Sequence, residues 1–248
     1  MYNTTSWIVN YNGVKLNYLR CIFYFWLIKT KNMTIIAKRK EKGLKISFTT
    51  FDLIYFIQMK RIASGLSQEE LSFLIGRGSS FIEEREAFKS NKELWLGDVS
   101  VMSKIFDCRP AEFFRSVKGK ANEIRLLSRQ MIKGDYIQYE VFGLREDDSI
   151  ELLYMINEED PVKKYTERER SVLLELSRIE IAALLGERYF EGVERSPFDI
   201  FRECRKRAGL LIKADFVAQV LNDYSLGSGP LVLKKYKHKD RGFVYLGL

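Results

Sequence analysis

The run Leu66-Ser67-Gln68-Glu69-Glu70-Leu71, followed by Gly76, Ile82 and Glu86, constrains the fold of this chain more than any other stretch. Ser67 is a good N-cap, and Glu70 stands three residues on, so the two make a capping box that starts a helix. Leu71, Leu74 and Ile75 then recur at helical spacing and give one buried stripe. Gly76 falls where that helix must stop and the chain must turn sharply. A second short amphipathic helix, Ser79 to Phe88, is expected to bury Ile82 and Phe81. Short helices joined by three or four residues form a helix-turn-helix unit. Upstream, Phe51, Ile54, Ile57, Met59 and Ile62 predict a helix from Phe51 to Ser64. Downstream, Leu96–Phe106 and Ala111–Phe114 predict two more.

On these residues the segment resembles the lambda-repressor-like, or XRE/Cro-type, helix-turn-helix family of transcriptional regulators. The family pattern has Ser-Gln-Glu-Glu-Leu opening the second helix, a Gly at its end, and Ile-x-x-x-Glu late in the third. Here those are Ser67, Gln68, Glu69, Glu70, Leu71, Gly76, Ile82 and Glu86. With the flanking helices and Cys108-Arg109-Pro110-Ala111-Glu112-Phe113-Phe114, the resemblance covers about a quarter of the chain. It implies a five-helix domain whose third helix enters the major groove of double-stranded DNA. Gln68 would then sit on a phosphate, with Arg77, Ser79, Ser80, Phe81, Glu83 and Arg85 at or near the groove. It also implies a homodimer acting on paired half-sites.

The segment departs from the family at the groove-facing positions, which usually carry small polar and basic residues. Glu83 and Glu84 would face a duplex that carries one charge per ~1.7 Å, which weakens binding. A glutamate can, however, accept a hydrogen bond from cytosine N4. Ala87-Phe88 stand where the family usually has Arg-Gly.

The 248 residues are 46% hydrophobic and 30% charged, which fits a folded protein of one large or two small domains and excludes a disordered one. Cys21, Cys108 and Cys204 show neither metal-ligand spacing nor a disulfide framework, so a reducing cytoplasm is the expected compartment. The net charge is +8, and its distribution matters more than its size. Residues 1–50 hold nine basic side chains and one acid; the remaining 32 basic and 32 acidic side chains cancel. Within that remainder, residues 196–248 carry ten basic and five acidic side chains, so the positive field lies at the C-terminal end.

Residues 1–45 read as a basic and apolar extension. The run Cys21–Ile28 is strongly apolar, but eight residues cannot span a bilayer, which needs ~20. Three readings stay open: a poor signal anchor, an over-extended start with Met33 as the true beginning, and a basic arm, Lys38-Arg39-Lys40-Glu41-Lys42, against DNA phosphates. No membrane partner is expected.

Residues 46–118 make the helix-turn-helix domain, and Lys118-Gly119-Lys120 reads as a linker. Residues 119–164 combine a helix, Ala121–Met131, with a hairpin of two strands, Tyr136–Phe142 and Ile150–Ile156, where the period changes to two. The acids Glu146, Asp147, Asp148, Glu151, Glu158, Glu159 and Asp160 read as a solvated loop rather than a metal or acid–base site.

Residues 165–248 read as three helices and a hairpin. Thr166-x-x-Glu169 opens the first by a capping box, with Val172, Leu173, Leu176, Ile179, Ala183 and Leu184 expected to be buried. Ser196-Pro197 starts the second at N-cap and N1, and Gly209 ends it. Ala214–Tyr224 forms the third. Strands Leu231–Tyr236 and Gly242–Leu246 flank a basic turn. This order resembles a winged helix, which implies Lys213, Gln219 and Asn222 on the groove-facing helix. It implies Lys234, Lys235, Lys237, Lys239 and Arg241 on the wing.

A single histidine, His238, argues against a His-dependent nucleophilic site, and no Gly-rich phosphate loop or metal-ligand pattern occurs. The expectation is therefore a mainly α, cytoplasmic DNA-binding regulator that is not an enzyme and needs no cofactor or metal. The competing reading is a protein-interaction module, antitoxin-like or scaffold, on the same helix-turn-helix; a hydrolase would need a convergent carboxylate or thiol pocket.

Overall fold

Strong local caps set most helix starts. In the computed structural model, which describes residues 35–36, 43–89, 94–114, 123–147, 149–226, 232–239 and 241–248, the Ser47 hydroxyl accepts from Thr50 N at 3.0 Å and opens α1, Phe48–Ala63. Ser67 and Glu70 form the expected reciprocal capping box at the head of α2, Gln68–Leu74. Gly76, at φ +70°, turns the chain toward α3, Phe81–Glu86. Helix α4, Leu96–Ile105, and a 3-10 turn at Pro110–Phe113 complete this region. Leu53, Ile57, Leu71, Ile75, Ile82, Val99, Met102 and Phe113 form its core.

The strands join what the sequence reading kept apart. β1 (Ile35–Ile36), β2 (Leu44–Ser47), β3 (Glu123–Lys133), β4 (Tyr136–Leu144) and β5 (Ser149–Glu159) make one antiparallel sheet in the order β1-β5-β4-β3-β2. β2 runs directly into α1, so that helix lies on the sheet, and Ile46, Ile54, Phe88, Leu126, Val141 and Tyr154 form a second core between them.

These strands overturn the expected fold class. The described residues are mixed α/β, with seven α-helices, the sheet and a separate two-stranded hairpin, and not mainly α. Residues 46–118 contain four α-helices and a 3-10 turn instead of five helices, and their leading strand belongs to the sheet. Ala121–Met131 was expected to be helical, yet 123–133 is β3. Ile124, Leu127 and Met131 satisfy a helical period, while Ile124 and Leu126 satisfy alternation, and pairing with both β2 and β4 decides for the strand. The hairpin β4–β5 is therefore the middle of a sheet.

In the C-terminal region Thr166 caps α5 (Glu167–Gly186), and Ser196 with Pro197 opens α6 (Pro197–Ala208). Helix α7 (Ala214–Leu226) follows, then β6 (Leu233–His238) and β7 (Gly242–Gly247). A two-residue bridge between Arg195 and Tyr245 ties β7 to the loop between α5 and α6, with N–H···O distances of 2.8 and 2.9 Å. The expected apolar face of α5 is partly wrong. Leu173, Ser177, Ile181 and Leu184 are buried, whereas Val172, Ile179 and Ala183 are exposed. The small hydroxyl Ser177 sits on the core side because it donates its proton to the Leu173 carbonyl at 2.9 Å.

Leu74 of α2 is buried in this C-terminal core beside Ile181, Ile200, Val217 and Leu221, so the two helical regions share one interior. Residues 1–32, the arm Lys38–Lys42 and the linker Lys118–Lys120 lie outside the described residues. Among the described residues no helix is long and apolar enough to cross a membrane.

Candidate functional site

The first helix pair uses most of its polar side chains internally. Gln68 donates to Glu86 at 2.8 Å. Arg77 pairs with buried Asp98 at 2.7 Å and lies between two rings, 5.5 Å from that of Phe81 and 5.6 Å from that of Trp95. Arg85 is buried, stacks 3.4 Å from the Phe81 ring centre and donates to the Phe81 carbonyl. Its burial lowers the guanidinium pKa. Phe81 is thus half-buried between two arginines. Glu83 pairs with Lys89 at 3.0 Å, and Ser80 donates to Glu84 at 3.1 Å. Ser79 and Ser80 are exposed. Of the residues expected near a groove, Gln68, Arg77 and Arg85 are therefore committed inside the protein.

The reason lies in a buried network that the sequence reading missed. Arg61 of α1 is completely buried, and each of its five N–H groups has an acceptor. Nε and Nη2 hold Glu86 of α3 at 2.8 and 2.7 Å, Nη1 reaches the Leu66 carbonyl at 2.8 Å, and Nη1 and Nη2 also hold Glu158 of β5. The two carboxylates raise the Arg61 pKa above its usual value in spite of burial. Glu158 was expected on a solvated loop; it is a buried strand residue because Arg61 needs it. A signal was present, since Arg61 follows Leu53, Ile54 and Ile57 on the apolar face of α1, where an arginine demands carboxylates.

The turn between α2 and α3 is covered by the C-terminal hairpin. Phe243 N–H donates to the Gly76 carbonyl at 2.7 Å. Gly242, at φ +74°, meets Gly76 so closely that a Cβ on it would stand 2.2 Å from the Gly76 oxygen.

On that hairpin Lys234, Lys237 and Lys239 are exposed, and none has an ion pair among the described residues. Lys235 differs: it is half-buried, donates to Asn222 at 3.1 Å and lies over the Phe243 and Tyr245 rings, and burial lowers its pKa. Arg241 pairs with Glu194, which also accepts from the Tyr236 hydroxyl and stands 3.9 Å from His238. Glu194, unnoticed in the sequence, fastens the hairpin to the loop before α6. On α7, Gln219 donates to Asp215 at 3.1 Å and is exposed with Asn222. Lys213 is half-buried, and burial, then the charges of Lys164 and Arg205, lower its pKa.

The arrangement thus commits Gln68, Arg77 and Arg85 inside the protein, holds Lys235 and Arg241 in local contacts, and leaves Ser79, Ser80, Gln219, Asn222, Lys234, Lys237 and Lys239 exposed. Among the described residues no group of histidines, cysteines and carboxylates could hold a metal ion. Comparison of the chain with protein-family models, with curated proteins and with solved structures finds no match in any of the three.

Proposed function

We propose that the chain is a DNA-binding transcriptional regulator that grips the duplex with its C-terminal hairpin and α7. One observation carries the reading. Three helices lead into a hairpin pinned by the Arg195–Tyr245 bridge and by Glu194, and Lys234, Lys237 and Lys239 project from it into solvent. The order of these elements supports the winged-helix likeness, and the positive balance of residues 196–248 supplies the field that attracts phosphates. In this reading α3 is a support rather than the reader, because its Arg85, and Arg77 in the turn before it, are already engaged. The free thiols Cys108 and Cys204 fit a cytoplasmic location.

A second reading, a protein-interaction module, is favoured by the outward Glu83 and Glu84 of α3, which suit a basic protein surface better than a groove. Fluorescence anisotropy on duplex DNA across a salt series separates the two. We expect salt-dependent binding by the full chain. Replacing Lys234, Lys237 and Lys239 together by alanine should flatten the logarithmic salt slope by ~0.9 for each phosphate left without its lysine. An unchanged slope removes the hairpin from the interface, and absence of binding at low salt favours the protein partner.

A further inference from the structure

Among the described residues, the edge of the sheet at β3 is open beyond Leu126. β2 covers only Glu123–Leu126, while β4 pairs with β3 out to Lys133. The turn Gly134-Asp135 joins β3 to β4, and Gly134, at φ +62°, takes the first central position of a type II′ hairpin. The flanking pair Lys133 and Tyr136 then exchanges both ladder bonds, so Lys133, Met131, Arg129 and Leu127 spend their backbone groups on β4. Ser128, Gln130 and Ile132 present theirs outward. Among the described residues no backbone bond reaches them from outside the β3–β4 ladder. The open segment also carries Ile132, 73% exposed. A row of unpaired donors and acceptors beside an exposed apolar side chain is a template for another strand.

We infer that this edge pairs with the same edge of a second copy, antiparallel about a two-fold axis through Gln130. The segment is complementary to itself in that register. Gln130 faces Gln130 of the partner, Ser128 faces Ile132, Arg129 faces Met131, and Leu127 faces Lys133, so no two like charges stand directly opposite. Arg129 already has Glu140 beside it on β4, which offsets its charge near the axis. Each outward residue lies opposite another outward residue, so their N–H and C=O groups pair reciprocally. The interface is isologous and closes as a dimer. The opposite edge, β5 beyond Ile150, carries Glu151 and Glu159; pairing β3 with that edge of another copy would be head-to-tail and would give a ring or a filament instead of an isologous dimer. This inference goes beyond the DNA-binding reading and does not depend on it.

Sedimentation velocity on the full chain, without nucleic acid and over a range of concentrations, tests it. We expect a reversible dimer of the 29.1 kDa chain. Gln130→Pro removes the axial donor at an edge position where proline is tolerated, and Ile132→Lys sets a charge on an exposed site. Both should give monomers with unchanged circular dichroism. Gln130→Cys should cross-link spontaneously on oxidation, since residues opposed in a bonded pair have Cα atoms about 5.5 Å apart, within disulfide reach. A chain that stays monomeric at every concentration, a species that keeps growing with concentration, or a dimer that survives both substitutions overturns the proposal.

Discussion

Arg61 shows how much one side chain can demand of a fold. A guanidinium without solvent access must find acceptors for all its donors; here one is the Leu66 carbonyl and the rest come from α3 and β5, 25 and 97 residues away in sequence. Removing it leaves Glu86 and Glu158 buried without their counter-charge. Arg61→Ala should therefore cost ~3–5 kcal/mol, the range for breaking a buried ion pair from one side. Urea denaturation of the wild type and the variant measures this directly. Arg145→Ala is the control: it removes an ion pair with Glu151 whose side chains are 63% and 55% exposed, and no change in midpoint is expected. A loss at Arg61 no greater than that at Arg145 would mean that the network relaxes or hydrates, and that Glu158 is not held in the interior by Arg61.

Among the elements, the seating of the C-terminal hairpin on the α2–α3 turn rests on two glycines, Gly76 and Gly242. Gly134 and Gly242 both have positive φ, at +62° and +74°, but only Gly242 faces a neighbour. An alanine at Gly134 meets nothing within 4 Å and should cost only the ~1–2 kcal/mol of a left-handed L-residue. Gly242→Ala bears the same strain and drives its Cβ into the Gly76 carbonyl, adding the ~1–3 kcal/mol of overpacking. Comparing the two variants by chemical denaturation tests the fit, and equal losses would show that the hairpin does not seat on the turn. Elements of this kind also mark what was legible in the sequence. The caps Ser67, Thr166 and Ser196-Pro197 act on their own next turn, and each placed a helix start correctly. β3 has no local signature of that sort; its identity depends on strands at both sides, one of them about 80 residues earlier in the chain. The role of Gly76 as a helix stop was readable, but its fit to Gly242 was not, because nothing local records which surface will approach a turn. Likewise Lys235 and Lys237 look alike in sequence, and only the aromatic ring pair Phe243 and Tyr245 distinguishes a half-buried lysine from a solvated one.

At the scale of the whole molecule, the shared interior makes residues 46–118 an incomplete unit. That segment carries Leu74 into a core supplied mainly by α5, α6 and α7. Its Arg61 and Glu86 lean on Glu158, its first residues Ile46 and Ser47 are the end of a strand that needs β3, and its turn is closed by β7. Cutting the chain at 118 would expose Leu74 on one side, Ile46 and Ile54 on the other, and would leave Arg61 without one of its two carboxylates. A fragment this size has little surplus stability to absorb such losses, because small domains bury a smaller share of their surface. Residues 46–118 alone should therefore lack fixed tertiary structure, seen as a collapsed amide spectrum and no near-ultraviolet circular dichroism. The full chain should unfold in one transition, coincident by tryptophan fluorescence and far-ultraviolet circular dichroism. Two separated transitions, or a well-dispersed spectrum from the fragment, would restore an independent helix-turn-helix domain and loosen the link between α2 and the C-terminal hairpin. If the single transition holds, any partner gripping the hairpin also bears on the α2–α3 turn, since Gly242 and Phe243 connect them without an intervening linker.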